Sequence, residues 1–216
     1  MHIEPGFIPQ AKVLLANGAA GGVLLMYSKE LMKRPADVIR TLLAAVFFTL
    51  FMQSFHMNIG PSELHFVGAM AMYLTLGFIP VLFGFALGLL LQAMLFNPAD
   101  AMHLAVNSLS LIMPLIAVHY TLGRKVREQS MKLRFKQIMK LDAMYYAGVT
   151  GMVGFWLMVS DVATPFSAWL AFASSYLAIV LIEPVVTYAA LSLLKRYEGS
   201  RFVDTCFDVQ KIQLAK

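Results

Sequence analysis

Long apolar runs separated by short polar segments dominate this chain. An apolar run of roughly twenty residues crosses the hydrocarbon core of a bilayer as a helix. The pattern therefore predicts an all-α integral membrane protein with about seven transmembrane helices. The predicted spans cover approximately residues 10–27, 37–55, 64–77, 80–96, 103–122, 142–159 and 167–194.

The third run, 64–77, is short for a full span, and it follows a Gly60-Pro61 break. We expect a loop that enters the protein at membrane depth to make up the difference. Irregular backbone is tolerated there only where protein buries it or a cavity hydrates it.

The basic residues predict how the helices are oriented. Segments 28–40, 123–140 and 195–216 hold sixteen of the seventeen Lys and Arg residues, and only Lys12 lies on the other side. Because cytoplasmic loops are enriched in Lys and Arg, the N-terminus is predicted outside and the C-terminus in the cytoplasm. The same placement explains the net charge of +5 by the orientation of the chain in the membrane. It therefore argues against a nucleic-acid partner.

Composition agrees with the membrane class, at 59% hydrophobic and 13% charged residues with a mean hydropathy of +0.71. No cleavable signal is expected, because the start of the chain lacks a basic region. The single cysteine, Cys206, forms no internal disulfide. We expect one membrane domain over residues 1–216 in the cell (inner) membrane, with an N-terminal arm (1–9), an outward loop (56–65), a basic amphipathic cytoplasmic loop (123–140) and a cytoplasmic tail (195–216).

The N-terminal arm begins with Met1-His2 and turns at Pro5-Gly6. The α-amine, the deprotonated amide nitrogen of His2 and its imidazole Nδ1 together form a planar three-nitrogen chelate. Ni²⁺ and Cu²⁺ accept such square-planar nitrogen fields, and one in-plane position remains for another side chain. The alternative interpretation is that His2 belongs to a frayed terminus without function.

Several polar side chains share the predicted outer side with this arm. They are His56, Glu63, His65, Gln92, His103 and Asn107. His56 and His103 are more typical of helix-end or surface histidines, with a relay or alternative ligand as the other interpretation. His119 lies near the opposite end and is a poor ligand candidate.

The chain resembles the substrate-capture subunit of nickel/cobalt energy-coupling-factor transporters, the CbiM/NikM-type family. The resemblance covers nearly the whole chain and is carried by Met1-His2-Ile3, by His65 followed by Gly68, by Gln92-Ala93-Met94-Leu95-Phe96 and by Asn107. It implies that Met1, His2 and His65 are the metal ligands and that Asn107 lies beside the site. The chemistry agrees, since His65 supplies the fourth in-plane nitrogen, and Glu63, Gln92 or Asn107 would orient a metal-bound imidazole.

The resemblance further implies that Ni²⁺ or Co²⁺ is bound as a transported substrate and that there is no catalytic cofactor. The expected partners are a coupling transmembrane subunit, two ATPase subunits and a small accessory membrane subunit. This chain itself has no Gly-x-x-x-x-Gly-Lys-Ser/Thr phosphate loop. One branch of the family has Pro-Thr-Gly after the loop histidine, whereas this chain has Phe66-Val67-Gly68, so the choice between nickel and cobalt stays open.

Two other functions remain as alternatives. A metal-independent small-molecule permease would make the histidines incidental. An intramembrane metal-dependent enzyme would use His65 and Glu63, but the chain has neither a His-Glu-x-x-His nor a Gly-x-Ser-x-Gly motif, so we expect a transport subunit and no enzyme.

Three further features lie within the predicted spans. Glu183, beside Pro184, is an intramembrane carboxylate, which we interpret as serving helix packing or partner docking. Asn17 is expected to make an interhelical hydrogen bond. The small residues at 18–22 indicate close internal helix packing, with a docking face for a partner membrane protein as the alternative.

Overall fold

The computed structural model describes residues 2–3, 6–59, 62–128 and 131–215, and this part of the chain is mainly helical. The helices, in chain order, are α1 (Gln10–Met32), α2 (Pro35–Ser54), α3 (Ala69–Leu76), α4 (Phe78–Leu95), α5 (Leu104–Val118), α6 (Arg124–Arg127), α7 (Phe135–Met158), α8 (Phe166–Arg196) and α9 (Arg201–Cys206). A 3₁₀ turn (Pro98–His103) leads into α5, and a π turn (His119–Gly123) joins α5 to α6. Helical structure is therefore found in each of the seven predicted apolar runs.

Five helical stretches of the described chain are long and apolar enough to cross a membrane. They are Gln10–Met32, Pro35–Ser54, Phe78–Leu95, Pro98–Arg127 and Phe166–Arg196. Helix α3 has eight residues, about 12 Å of helix, and is too short for a hydrocarbon core of about 30 Å. The multi-pass, all-α character is thus supported, whereas the number of about seven spans and the N-out orientation stay predictions.

Helix α7 begins earlier than the sequence analysis predicted. It starts at Phe135, seven residues before the expected 142, and it buries Ile138 and Leu141 against the bundle. The charged residues between these positions concealed the apolar face of the first turn. The predicted basic loop 123–140 is therefore helical at both ends.

Helices α2 and α4 pack closely because α4 presents two glycines to its partner. A Cβ atom added at Gly84 would lie 2.4 Å from the Cβ atom of Ala44, and one added at Gly88 would lie 2.5 Å from the Phe48 ring. The close approach lets the Thr49 hydroxyl donate a 3.1 Å hydrogen bond to the Gly88 carbonyl. Small residues at helix crossings are how membrane helices gain contact area.

Helix α3 lies in the middle of the molecule, and all of its side chains are buried. Two glycines with positive φ bracket it, Gly68 at +64° and Gly77 at +110°. A Cβ atom at Gly68 would also meet the Phe51 ring at 2.4 Å. Glycine is therefore required where the chain turns into this helix.

A small antiparallel sheet covers one end of the bundle, called here the sheet end. Its strands are β1 (His2–Ile3), β2 (His56–Ile59) and β3 (Ser62–His65), in the order β1-β3-β2. The sequence analysis had predicted an outward loop at 56–65 without strands. The pairing joins residues about sixty positions apart, which local sequence patterns do not reveal.

The C-terminal segment packs against the end of α3 that lies away from the sheet. The Asp208 N–H donates to the Thr75 carbonyl at 2.7 Å, and the Asp208 carboxylate forms an ion pair with Arg127. Val209 and Ile212 are buried. The predicted polar tail is therefore an integrated part of the fold.

Helix α1 lies at the edge of the bundle. Within its small-residue run only Ala20 is buried, and Cβ atoms added at Gly18, Gly21 or Gly22 would contact nothing within 4 Å. Asn17 is exposed, and its side chain makes no hydrogen bond within the described residues. The expected interhelical bond of Asn17 and the expected internal packing of the glycines are therefore not found.

The α2–α4 contact can be tested with a pair of glycine substitutions. Gly84→Ala should lower the free energy of unfolding of the purified protein by about 1–3 kcal/mol, because the added methyl group overpacks the contact with Ala44. Gly151→Ala, on α7, is the matched control, since its Cβ atom would meet nothing within 4 Å. Thermal unfolding in detergent measures both, and equal stabilities of the two variants would contradict this account of the packing.

Candidate metal site

The N-terminal arm is held beside the strand that ends in His65. In the β1–β3 pair, His2 lies opposite Glu63 and Ile3 opposite Ser62. The predicted ligand Met1 and the side chain of His2 lie outside the described residues. The backbone of His2 is nevertheless placed two strand positions from His65, on the neighbouring strand.

Two buried side chains hold the backbone of Ile3 from the other side. The Ile3 N–H donates to Asn107 Oδ1 at 3.3 Å, and His103 Nδ1 donates to the Ile3 carbonyl at 3.1 Å. Asn107 and His103 are each 1% exposed. The start of α5 and the preceding 3₁₀ turn thus form a clamp on the arm, and both clamp residues were among the predicted candidates.

Apolar packing fixes the same arm against the helices. Ile3 and Ile8 are buried in a small cluster with Ala105, Val106 and Trp156. This cluster is separate from the main core of the bundle. Burial of two isoleucine side chains holds the arm against the bundle.

His65 is buried, and both of its ring nitrogens face oxygen atoms. Nδ1 lies 3.3 Å from the carbonyl oxygen of Met52, and Nε2 lies 3.0 Å from Glu63 Oε2. A carbonyl oxygen only accepts, so Nδ1 carries a proton. This bond fixes the tautomer and leaves Nε2 as the nitrogen whose lone pair can bind a metal once its own proton is absent.

Glu63 lies where it can respond to the state of His65. Strand residues two apart project to the same side, and this brings the Glu63 carboxylate next to Nε2. When Nε2 carries a proton, a carboxylate in this position accepts a hydrogen bond from it. When a cation replaces that proton, the carboxylate faces the cation. The group that orients the ring through its other nitrogen, Nδ1, is the Met52 carbonyl, so the orienting role of Glu63 stays a prediction.

The remaining predicted residues lie at different depths around the sheet. His56 is exposed and pairs with His65 across β2 and β3, with ring centroids 6.1 Å apart. Gln92 is buried near the end of α4, and its Oε1 atom has no hydrogen-bond partner among the described residues. His103 is buried rather than on the surface, and its Nε2 atom likewise has no partner within the described chain.

Within residues 2–3, 6–59, 62–128 and 131–215, no three His, Cys, Asp or Glu side chains converge as a metal site. The described part supplies one imidazole with a carboxylate beside it. Met1 and the side chain of His2, the other predicted nitrogen donors, fall outside this description.

Sequence patterns do not reveal the hydrogen bonds between backbone atoms and the predicted site residues. The Met52 carbonyl lies in the last turn of α2, where helix carbonyls lack partners of their own helix. The Ile3 backbone lies in a strand too short to predict. The only signal in the sequence was the co-occurrence of His103 and Asn107, four positions apart at a helix start.

The fold resembles two solved structures. The crystal structure described as a transition metal transporter matches with a TM-score of 0.74 at 20% identity, covering 94% of this chain and 96% of that chain. A truncated transition metal transporter matches with a TM-score of 0.73 at 21% identity, covering 91% and 99%. At these identities the likeness establishes the fold.

The bundle with its sheet and its five membrane-length helices is the fold of a multi-pass membrane protein. The family described as cobalt uptake substrate-specific transmembrane region matches residues 2–200, and the chain belongs to this family. No curated protein gives a significant match to the chain. Family membership supports a role in metal uptake and not in catalysis, as the sequence analysis expected.

The clamp on Ile3 predicts a local effect of one substitution. Asn107→Leu removes the acceptor of the Ile3 N–H, and leaving a buried donor unpaired costs about 1–3 kcal/mol. We expect faster hydrogen exchange in the N-terminal peptide, measured by mass spectrometry.

Ser110→Ala is the control for this experiment. Ser110 is also buried on α5, but its hydroxyl bonds only to the Val106 carbonyl of its own helix. Exchange of the N-terminal peptide should match that of the parent protein in this variant. Unchanged exchange in Asn107→Leu would show that the clamp does not hold the arm.

Proposed function

We propose that this chain is the substrate-binding membrane subunit of an energy-coupling-factor transporter and that it captures Ni²⁺ or Co²⁺ for ATP-driven uptake. The observation that carries the proposal is the β1–β3 register, which brings the backbone of His2 beside the strand of His65. The membership in a cobalt-uptake family supports the same class of substrate.

The proposed ligands are four nitrogen atoms in one plane. Three belong to the arm: the α-amine of Met1, the deprotonated amide of His2 and its imidazole. The fourth is His65 Nε2, because Nδ1 is engaged by the Met52 carbonyl. Square-planar nitrogen donors suit Ni²⁺, and imidazole also suits Co²⁺, so the same set serves either ion.

Side chains around this set would hold it in place. Asn107 and His103 fix the arm through Ile3, and Glu63 faces the ring of His65. A held arm loses less conformational freedom when the ion binds, which favours affinity. The buried side chain of Gln92 is a further candidate for orienting a ligand.

Transport requires partner chains in this proposal. The sequence contains no phosphate-binding loop, so two ATPase subunits and a coupling transmembrane subunit would supply the energy, with a small accessory membrane subunit. The distribution of Lys and Arg supports an outward arm and a cytoplasmic C-terminus in the cell membrane. Release would follow when the arm and the His65 strand separate, since that removes one or more ligands.

Titration calorimetry with Ni²⁺ and with Co²⁺ tests the site. Intact-mass analysis first establishes that Met1 carries a free amine. A chain with one extra residue before Met1, and the variant His65→Ala, should each lose tight binding of both ions by about 100-fold or more, since each removes ligands of the chelate. The preferred ion of the parent protein identifies the substrate.

The control for the calorimetry is His119→Gln, a histidine at the opposite end of α5. His119 stacks on Phe78 at 3.8 Å and bonds to Tyr73, away from the sheet. This variant should bind like the parent protein. If the extended chain and His65→Ala also bind like the parent, the N-terminal site is wrong.

Metal capture should weaken as the pH falls. The amine, the amide and both imidazoles must be unprotonated to bind, so protons compete with the ion, and binding releases protons. We expect the affinity for Ni²⁺ to fall at least about tenfold between pH of about 7.5 and about 5.5, because imidazole takes up protons in this range. Calorimetry in buffers of different ionisation enthalpy counts the released protons, and an affinity independent of pH would contradict nitrogen ligation.

A further inference from the structure

Glu183 is a fully buried carboxylate in the middle of α8, and the proposed metal site does not use it. A carboxylate at membrane depth is costly unless other groups bind it. Its burial excludes the interpretation that it docks a partner through the described surface. What Glu183 contacts therefore indicates what it is for.

The Glu183 side chain accepts hydrogen bonds from two other helices. The N–H of Met70, in the first turn of α3, donates to Glu183 Oε1 at 3.0 Å. The backbone of Gly68 also lies against this carboxyl group. On the other side, the Tyr146 hydroxyl of α7 donates to Glu183 Oε2.

These contacts make Glu183 the cap of α3. The first N–H groups of a helix have no partners in their own helix, and here no water-exposed surface is close, since all of α3 is buried. A carboxylate supplied from α8 satisfies such a group and also faces the positive end of the α3 dipole. Gly68 itself has no side chain that could do this.

Asp142 completes the surroundings of Glu183. It is fully buried on α7 beside the Glu183 carboxyl group, and neither of its oxygens has a hydrogen-bond donor among the described residues. Within the described part of the chain, no Lys or Arg forms an ion pair with either carboxyl group.

The capped end of α3 directly follows the proposed metal ligand. Only residues 66–68 separate His65 from Ala69, the first residue of α3. Helix α8 approaches the strand itself as well, because Tyr176 stacks on Tyr146 at 4.9 Å and its hydroxyl lies near the backbone of His65. A shift of the start of α3 would therefore move His65.

We infer that Glu183 is a positioning residue for metal capture: by capping α3, with the Tyr146 hydroxyl bound to it, it holds the His65 strand in its binding position. This inference rests on the proposed function. It concerns a residue that contacts no proposed ligand and acts through the backbone of α3.

The test measures Ni²⁺ affinity and hydrogen exchange together. Glu183→Leu removes the acceptor of the Met70 N–H, and we expect about a tenfold loss of Ni²⁺ affinity with faster exchange in the peptide 66–72, as for the loss of a group that orients a ligand. Glu183→Gln keeps a carbonyl oxygen for this N–H, so it should restore most of the affinity and the slow exchange. Faster exchange confined to the peptide 66–72 distinguishes the loss of the α3 cap from a general loss of packing.

Two adjacent tyrosines provide a milder, matched comparison if Glu183→Leu does not fold. Tyr146→Phe removes a hydroxyl that bonds to Glu183 and should weaken Ni²⁺ binding roughly threefold, the typical net effect of one hydrogen bond. Tyr145→Phe removes an equally buried hydroxyl that has no partner among the described residues, and it should leave binding unchanged.

The outcomes separate the two proposals. If the parent protein does not bind Ni²⁺ or Co²⁺, the proposed function fails. If the parent binds and both Glu183→Leu and Tyr146→Phe bind equally well, only the positioning role is overturned. A loss of affinity without faster exchange of the peptide 66–72 overturns the role of the α3 cap in the same way.

Discussion

Backbone hydrogen bonding away from water is the constraint on which the rest of this structure depends. A chain segment that leaves the helical conformation inside a membrane protein must find partners for its N–H and C=O groups within the protein. Strand β3 does so by pairing with both β1 and β2. At the end of β3, the His65 ring donates a hydrogen bond to the Met52 carbonyl in the last turn of α2. Glu183 accepts a hydrogen bond from the Met70 N–H in the first turn of α3.

The same bonds prepare the proposed site before an ion arrives. His65 is oriented by the Met52 carbonyl, and the arm is oriented by the Asn107 and His103 bonds to Ile3. Because contacts within the protein already order the arm, less conformational entropy would be lost when the ion binds, and this favours affinity.

The sequence could reveal what depends on local pattern and composition. Apolar length located the helices within a few residues, with the largest error at Phe135, where charged residues alternate with the buried face of α7. Strand β1 was not predictable, because it has two residues and its partner lies about sixty positions away. For the site, residue type and the predicted side of the membrane select the histidines and Asn107 as candidates, but the contact of His103 with a backbone carbonyl has no sequence signature.

For Glu183, the sequence predicts that the carboxyl group needs partners but not which groups they are. Its burial in an apolar run indicated that something must bind it, and helix packing was part of that expectation. The partners are backbone groups of α3 and the Tyr146 hydroxyl of α7, and they meet only because α3, α7 and α8 pack together. The identity of such partners follows from tertiary structure alone.

Helix α3 is bound by a polar side chain at each end. Glu183 accepts from the Met70 N–H at its N-terminus, and Arg127 donates to the carbonyls of Tyr73 and Leu74 near its C-terminus, at 2.8 and 3.4 Å. An acceptor at the N-terminus and a donor at the C-terminus both complement the helix dipole. Arg127 also forms an ion pair with Asp208 of the C-terminal segment. Helix α3 therefore connects that segment to the His65 strand. An axial displacement of α3 therefore displaces both the His65 strand at one end and the contacts of the C-terminal segment at the other.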